Sequence, residues 1–157
     1  AGVKTPLELT MTLPPPPYSR QGGEFIVAAL AKIGIVVKTQ NVEWAQWLSN
    51  TYGGANNYDL SIISHVEPFD LGNYSKPGYY WGYEGKAFAA VYDKLKTTGN
   101  AAERNKLLGE AQKILATDAA NGFLYQPQFP TIAKKGVKGL WSAMPILCND
   151  LSTMYWG

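Results

Sequence analysis

The chain has 157 residues, a net charge of +2, 46% apolar residues and 17% charged residues. This composition is that of one soluble globular domain, large enough to bury roughly 70% of its unfolded surface, and it excludes a disordered chain. The scattered Lys and Arg residues argue against nucleic-acid binding. The single cysteine excludes an internal disulfide, and no apolar run approaches the ~18 residues of a membrane span.

The first half of the chain alternates predicted strands and helices. A period-2 pattern and two later apolar runs predict strands over residues 7–13, 35–42 and 58–64. The prolines at 14–17 end the first strand, and a helical stripe from Phe25 to Ile33 follows it. Gly34 is at the position of a left-handed helix cap, and a short second helix follows from Trp44 to Thr51. The β-α-β-α-β order predicts an α/β fold with parallel strands.

The second half is predicted to be helical and then irregular. An apolar stripe from Phe88 to Leu95 predicts one helix, ended by Gly99. Asn100, three residues before Glu103, has the spacing of a capping box for a second helix. Two short strands are predicted over 122–125 and 131–134, followed by an irregular aromatic tail over 139–157.

The segment after the third strand carries the candidate polar site. His65, the only histidine, is followed by Glu67 and Asp70. Polar loops at the carboxyl ends of strands are where open α/β folds bind ligands. The spacing matches no metal signature, and no second His or Cys completes a metal site, so no metal and no cofactor is predicted. The alternatives are a hydrogen-bonded strand end for His65 and loop capping for the carboxylates; we expect ligand contact from at least one carboxylate.

Aromatic side chains form the second part of the candidate site. Four of them lie within five residues and are flanked by glycines, so they cannot all point inward, and we expect at least one to face a crevice. These residues are Tyr79, Tyr80, Trp81 and Tyr83. We expect residues 65–83, the prolines at 14–17 and part of the tail to line one side of the molecule. Trp44 and Trp47, on a helix face, are predicted to pack in the core.

In order along almost the whole chain, several segments resemble the C-terminal lobe of the family 5 extracellular solute-binding proteins, the peptide- and oligopeptide-binding components of ABC transporters. These segments are LELTMTL after Ala1-Gly2, A-x-L-A-K-I-G-I-x-V from Ala28, VEWAQWL from Val42, Y-D-L-x-I from Tyr58, HVEPFD from His65, A-E-R-x-x-L-L-x-E-A-Q-x-I-L from Ala102, and KGLW from Lys138.

The resemblance implies an α/β lobe of periplasmic-binding-protein type, with a mainly parallel sheet flanked by helices. Residues 1–157 would then be a single ligand-binding lobe whose N-terminal partner portion is absent, and the lobe alone is expected to bind ligand poorly. The implied function is binding, not catalysis: a periplasmic protein or cell-surface lipoprotein captures a peptide or other small solute between two lobes and delivers it to an ABC permease in the membrane.

In this family an acidic residue in the loop after the strand pairs with the ligand's amino terminus, which points to Glu67 or Asp70. We favour Asp70, since Pro68 stiffens the turn before it and Gly72 would let the backbone pass close to a ligand. His65 stands where the dipeptide-binding branch commonly has tryptophan, so the ligand class stays open. The alternatives are an oligosaccharide or other solute for the same transporter class, and a hydrolase that uses His65 and Glu67.

Overall fold

The structure is a computed structural model that describes residues 2–54, 58–67, 70–128, 130–142 and 150–157. Along the chain the elements are β1 (Leu7–Leu13), α1 (Pro17–Ala31), β2 (Ile35–Asn41), α2 (Trp44–Trp47) continued by a π-helical turn at Leu48–Tyr52, β3 (Leu60–Ser61), a 3₁₀ helix at Asp70–Ser75, α3 (Lys86–Thr97), α4 (Ala101–Thr117), β4 (Val137–Lys138), a 3₁₀ turn at Leu151–Thr153, and β5 (Tyr155–Trp156). Of the helices among these residues, none has the length and apolar character that a membrane crossing requires.

The main sheet is parallel, with the strand order β2-β1-β3. β1 is in register with β2 from the pair Leu7 and Ile35 to the pair Leu13 and Asn41. The inward face of these strands packs against α1, around the buried core residues Met11, Leu13 and Val37. The predicted α/β class and the parallel arrangement of the three strands are therefore confirmed.

β3 is much shorter than the predicted strand over 58–64, because only Leu60 and Ser61 pair with β1. The Asp59 carboxylate accepts a hydrogen bond from the Thr10 backbone N–H at 2.8 Å, which takes a donor that a longer ladder would use. A strand persists only where its backbone groups find partners along a neighbouring strand. The prediction of a seven-residue third strand was therefore wrong, although its position and direction were right.

α1 begins earlier than its apolar stripe suggests. Its first residue is Pro17, the last of the proline run, which therefore both follows β1 and opens the helix. Proline suits the first turn of a helix because its missing N–H would have no partner there and its φ is already helical. At the other end Gly34 has φ of +81°, so the predicted left-handed glycine is confirmed.

α3 and α4 form a helical hairpin with its own core. Phe88, Val91, Leu107, Ala111 and Leu115 are buried in this core. The Asn100 side chain accepts a hydrogen bond from the Glu103 backbone N–H at 3.0 Å, which is half of the predicted capping box. In the other half the Glu103 carboxylate accepts from the Thr98 hydroxyl instead of the Asn100 N–H.

The strands predicted over 122–125 and 131–134 are not formed, and both predictions were wrong. Phe123, Tyr125 and Ile132 are exposed there, and among the described residues no strand runs beside this segment to complete a ladder. The strand that does form nearby is β4, which pairs antiparallel with β5. The tail is thus less irregular than predicted, except over 143–149, which lies outside the described residues.

Candidate ligand-binding site

The segment that leads from β3 into the site is held by side chains from other elements. Ser19 of α1 is fully buried and donates a hydrogen bond to the Ile62 carbonyl at 2.9 Å. The Ser64 N–H donates to the Tyr18 hydroxyl oxygen at 3.1 Å. These contacts replace the ladder bonds that a longer β3 would make, and they fix the backbone that enters residue 65.

A second set of polar contacts anchors the same segment to β1 and α2. The Trp47 Nε1–H donates to the Ser61 hydroxyl at 3.0 Å, and that hydroxyl donates to the Thr12 carbonyl at 2.7 Å. Trp47 is only 3% exposed, which confirms its predicted core position, whereas Trp44 is 42% exposed, so the prediction that it packs in the core was wrong. The end of β3 is therefore fastened on two sides before the polar loop begins.

The structure brings His65, Glu67 and Asp70 together. Nδ1 of the imidazole lies 3.2 Å from Asp70 Oδ2 and 3.4 Å from Glu67 Oε2. Nε2 lies 2.7 Å from the Tyr80 hydroxyl. Nδ1 is buried, and among the described residues its nearest polar neighbours are these two carboxylates, neither of which has good hydrogen-bond geometry with it.

The two carboxylates differ in burial and in acidity. Asp70 is 21% exposed and accepts a hydrogen bond from Asn73 Nδ2 at 3.0 Å, whereas Glu67 is 66% exposed. Burial, and then the neighbouring Glu67 carboxyl group, raise the pKa of Asp70. A hydrogen bond from the Glu67 backbone N–H, followed by the contact with Asp70, lowers the pKa of Glu67. Two close carboxylates favour a positive charge beside them.

Gly72 has a packing role in this structure. A Cβ at this position would clash with the hydroxyl of Tyr92 on α3. The glycine therefore allows the 3₁₀ helix that carries Asp70 to pack closely on the helical hairpin. Pro68, which was expected to stiffen the turn before Asp70, lies outside the described residues.

Three of the four predicted aromatic residues form one cluster beside His65. Tyr80 is 6% exposed and packs between Trp47 and Trp81, while Tyr79 and Trp81 are half-buried with ring centroids 4.4 Å apart. The Trp81 ring centroid lies 5.2 Å from that of His65. Tyr79, Trp81 and Tyr83 are partly exposed, and that one of them faces a ligand crevice stays a prediction.

Tyr83 lies on the side of the helical hairpin. Its hydroxyl donates to Asp118 Oδ2 at 2.7 Å, and its ring meets Phe88 edge to face. Its ring also meets that of Tyr74 edge to face, so Tyr83 adjoins the aromatic cluster from the side of the hairpin. The prolines at 14–17 were expected to line the same side as residues 65–83. Pro14 is buried and Pro17 is exposed, so these prolines do not form one continuous surface.

Sequence reasoning missed two tyrosines. Tyr74 stacks on Trp81 with centroids 4.5 Å apart, and the Tyr58 hydroxyl donates to the Tyr80 carbonyl at 2.9 Å. Burial raises the pKa of Tyr74 and of Tyr79 to about 12 and raises that of Tyr80 further. The sequence could have indicated that Tyr74 lies beside the site, because Tyr74 follows Asp70 by about one helical turn.

An open cavity of about 560 Å³ adjoins the aromatic cluster. Its walls come from β3, from the turn at Tyr80 and Trp81, and from the segment after α4 that includes Asn121. Trp81 Nε1 and Asn121 Oδ1 are buried, and neither has a hydrogen-bond partner in the part of the chain that the structure describes. The site thus consists of a charged cluster, an aromatic wall and an adjacent space.

Among the residues that the structure describes, one group has metal-ligating side chains close together. The ligand atoms of His65, Glu67 and Asp70 lie within 4.8 Å of one another. They supply one nitrogen and two carboxylate ligands, one fewer than a closed tetrahedral zinc site needs. The same three groups suit an organic cation as well as a metal ion.

The sequence matches no protein-family model and no curated protein. Solved structures do match it. A protein named AppA from Clostridium difficile shares 19% identity with a TM-score of 0.74, over 99% of this chain and 34% of that one. The murein tripeptide-binding protein MppA of Escherichia coli shares 24% identity with a TM-score of 0.72, over 96% of this chain and 31% of that one.

A third match is the periplasmic binding protein DppA from Helicobacter pylori in complex with the peptide STSA. It shares 26% identity with a TM-score of 0.55, over 73% of this chain and 24% of that one. The chain thus spans about a quarter to a third of the length of these proteins. All three are binding proteins, which agrees with the prediction that this chain is not an enzyme.

In two of the three proteins the match covers nearly the whole chain. The chain therefore has the α/β fold of the substrate-binding proteins of ABC transporters, and the resemblance to the family 5 solute-binding proteins is confirmed.

Proposed function

We propose that this chain is a ligand-binding lobe of an ABC importer's substrate-binding component, and that it captures peptides or oligopeptides. The observation that carries the proposal is the Asp70 carboxylate, fixed by Asn73 and half-enclosed beside an aromatic wall at the end of the parallel sheet. A peptide's terminal ammonium is the positive charge that two close carboxylates favour. The neighbours in fold include a murein tripeptide-binding protein and a binding protein in complex with the peptide STSA, which supports the same ligand class.

A lobe of this kind forms half of a cleft. Residues 1–157 would close over the ligand together with an N-terminal lobe of the same polypeptide, and the loaded protein would deliver the ligand to a membrane permease. Binding proteins of this type work in the periplasm or at the cell surface; attachment as a lipoprotein stays a prediction. Because half a cleft gives fewer contacts for the same entropic cost of association, we expect the isolated lobe to bind weakly.

Asp70 and Glu67 should contribute unequally to peptide binding. Asp70 is the more enclosed, so Asp70→Asn in the full two-lobed protein should weaken binding by ~2–5 kcal/mol, as expected for a desolvated charge pair. Glu67 is largely exposed, and Glu67→Gln should cost about 1 kcal/mol or less. Both substitutions are nearly isosteric, so they change the charge and little else.

The measurement is calorimetry with a tripeptide that has a free amino terminus. Asp93→Asn is the matched control, since Asp93 is an exposed carboxylate on α3 that pairs with Lys96. If Asp70→Asn and Glu67→Gln both bind the tripeptide as tightly as wild type, the carboxylates do not anchor an amine. A neutral ligand held by the aromatic wall, such as an oligosaccharide, would then be the better hypothesis.

A further inference from the structure

We propose that His65, Glu67 and Asp70 form a binding site for Zn²⁺ or a neighbouring first-row divalent metal ion, and that this ion excludes an amine ligand from the same carboxylates. The metal site depends only on the three side chains. The exclusion rests on the proposed function, because it assumes that the ligand brings a positive charge to this site. The spacing along the sequence predicted no metal, whereas the arrangement in space favours one.

The distances between the three side chains fit a shared metal ion. Zn²⁺ binds imidazole nitrogen at about 2.0–2.1 Å and carboxylate oxygen at about 2.0–2.2 Å, so two ligands of a tetrahedral ion lie about 3.4 Å apart. Nδ1 of His65 lies 3.2 Å from Asp70 Oδ2 and 3.4 Å from Glu67 Oε2. The ligand atoms of all three residues lie within 4.8 Å of one another, and the 66% exposed Glu67 can approach Asp70 by a small rotation.

The same distances do not fit direct hydrogen bonds. A charge-assisted bond from an imidazole N–H to a carboxylate would be about 2.7–2.9 Å long and nearly linear. Neither carboxylate has this geometry with Nδ1, although Nδ1 is buried between them. Ligands of one metal ion are arranged in this way, because each directs a lone pair at the ion and not at the neighbouring ligand.

The groups behind the three side chains are of the kind that metal sites use. A metal-binding imidazole generally donates its other N–H to an acceptor, which fixes the ring, and a metal-binding carboxylate is itself hydrogen-bonded. Nε2 of His65 lies 2.7 Å from the Tyr80 hydroxyl, and Asp70 accepts from Asn73 Nδ2 at 3.0 Å. Since Tyr80 is 6% exposed, the aromatic cluster sets the orientation of the imidazole.

The charge of the cluster also favours a divalent cation. In the part of the chain that the structure describes, neither carboxylate pairs with a lysine or an arginine. The Lys76 ammonium lies 2.6 Å from Asn73 Oδ1 and over the Tyr79 ring. The imidazole nitrogen selects Zn²⁺ and its neighbours over Mg²⁺ and Ca²⁺, which prefer sites made of oxygen alone.

A metal ion and a ligand ammonium cannot share these carboxylates. The ion would occupy the Asp70 and Glu67 oxygens that the proposed function assigns to the amino terminus of a peptide. An ammonium has no lone pair with which to coordinate the ion, and two positive charges at such a short separation repel each other. Metal binding would therefore close the site to amines.

The test of the metal site is calorimetry with Zn²⁺ on the full two-lobed protein, free of tags, treated with chelator and without peptide. His65→Gln removes Nδ1 while its amide can still reach Tyr80, and Asp70→Asn removes a charge at nearly constant shape. Each should lower the zinc affinity by about 100-fold or more, because loss of an outer partner alone typically costs 10- to 100-fold. Tyr80→Phe, which removes such a partner, should cost about tenfold.

Controls and a spectroscopic readout accompany these variants. Asp93→Asn on α3 should bind zinc as wild type does, and Mg²⁺ should show no binding at the zinc concentrations used. X-ray absorption at the zinc edge should show the scattering of one coordinated imidazole in wild type, a result that does not depend on how well any variant folds. The same signal should be missing in His65→Gln.

The outcomes separate the metal site from the proposed function. Zinc affinity that is unchanged in His65→Gln and Asp70→Asn, or a zinc spectrum without imidazole in wild type, overturns the metal site and leaves peptide binding intact. Equal binding of Mg²⁺ overturns the role of the imidazole.

Calorimetry with a tripeptide tests the exclusion. Saturating zinc should lower the affinity of a tripeptide with a free amino terminus by about tenfold or more, within the range of typical couplings, and should not affect the acetylated tripeptide. Equal tripeptide affinity with and without zinc overturns the exclusion. If no peptide binds in the absence of zinc, the proposed function and the exclusion both fail, whereas the zinc titration still decides the metal site.

Discussion

The β1-α1-β2 unit and the segment from β3 to Tyr83 are built in different ways. In the first, seven residues of β1 pair in continuous register with β2, and one helix covers their apolar face. In the second, Leu60 and Ser61 are the residues that belong to a ladder among those described. Side chains from α1, α2 and the aromatic turn hold the segment around them. The first region is stabilised by backbone hydrogen bonds and buried apolar surface, and the second by individual polar contacts.

This difference follows from what each region does. A ladder with a buried face gives rigidity, but the side chains on its inner face are used in the core. A segment held by a few specific hydrogen bonds can instead bring His65 and Asp70 together after β3. It is also more sensitive to single substitutions that remove a hydrogen bond and leave the volume nearly unchanged.

The largest effect should come from the centre of the sheet. Met11 is 2% exposed in the middle strand, and Met11→Ala should lower the free energy of unfolding by ~2–5 kcal/mol through lost burial and a residual cavity. Val36→Ala on β2, at a side chain that is 44% exposed, is the matched control and should cost less than about 1 kcal/mol. Urea unfolding measures both, and equal losses would mean that the sheet core is not the stability centre of this region.

The sheet region was also the one that the sequence predicted well. Period-2 alternation in residues 7–13, an apolar stripe and Gly34 are local signals, and the ladder follows from them. The closeness of His65 to Glu67 and Asp70 was predictable for the same reason, since all three lie within six residues. Local spacing was sufficient in both cases.

The remainder of the site depends on packing between distant segments. Nothing in the sequence around His65 indicates that the hydroxyl of Tyr80, fifteen residues later, would reach its Nε2. Tyr83 was grouped with Tyr80 because they are near in sequence, yet the turn at Gly82, with φ of +67°, separates them. Aromatic side chains in a glycine-rich turn have no period, so their directions are set by the shapes of their neighbours.

A smaller effect should come from the hydrogen bonds that replace the ladder. Ser19→Ala removes the donor to the Ile62 carbonyl and leaves that acceptor without its partner, which should cost about 1–3 kcal/mol. Ser49→Ala is the matched control, because Ser49 is exposed and its hydroxyl bonds locally to the Gln46 carbonyl. Urea unfolding should separate the two variants; if it does not, the segment after β3 does not depend on α1 for its position.

The smallest effect concerns the hydroxyl of Tyr80, and it should depend on pH. At pH 7, Tyr80→Phe loses the contact with His65 and should cost about 1 kcal/mol. Burial raises the pKa of Tyr80 above its ordinary value of 10.0, so the folded protein keeps a proton that the unfolded chain releases. Below pH 10 both states hold this proton and the stability is unaffected; as the pH rises above 10, the unfolded state is favoured and stability is lost. Phenylalanine has no proton to release, so the stability gap between the variant and wild type should narrow from pH 9 to pH 11 in urea unfolding.

The exposed Tyr155→Phe is the control and should show no such narrowing. A Tyr80→Phe gap that stays constant over this range would show that the aromatic cluster is open to water, and that the wall beside His65 is less enclosed than the packing of its rings indicates.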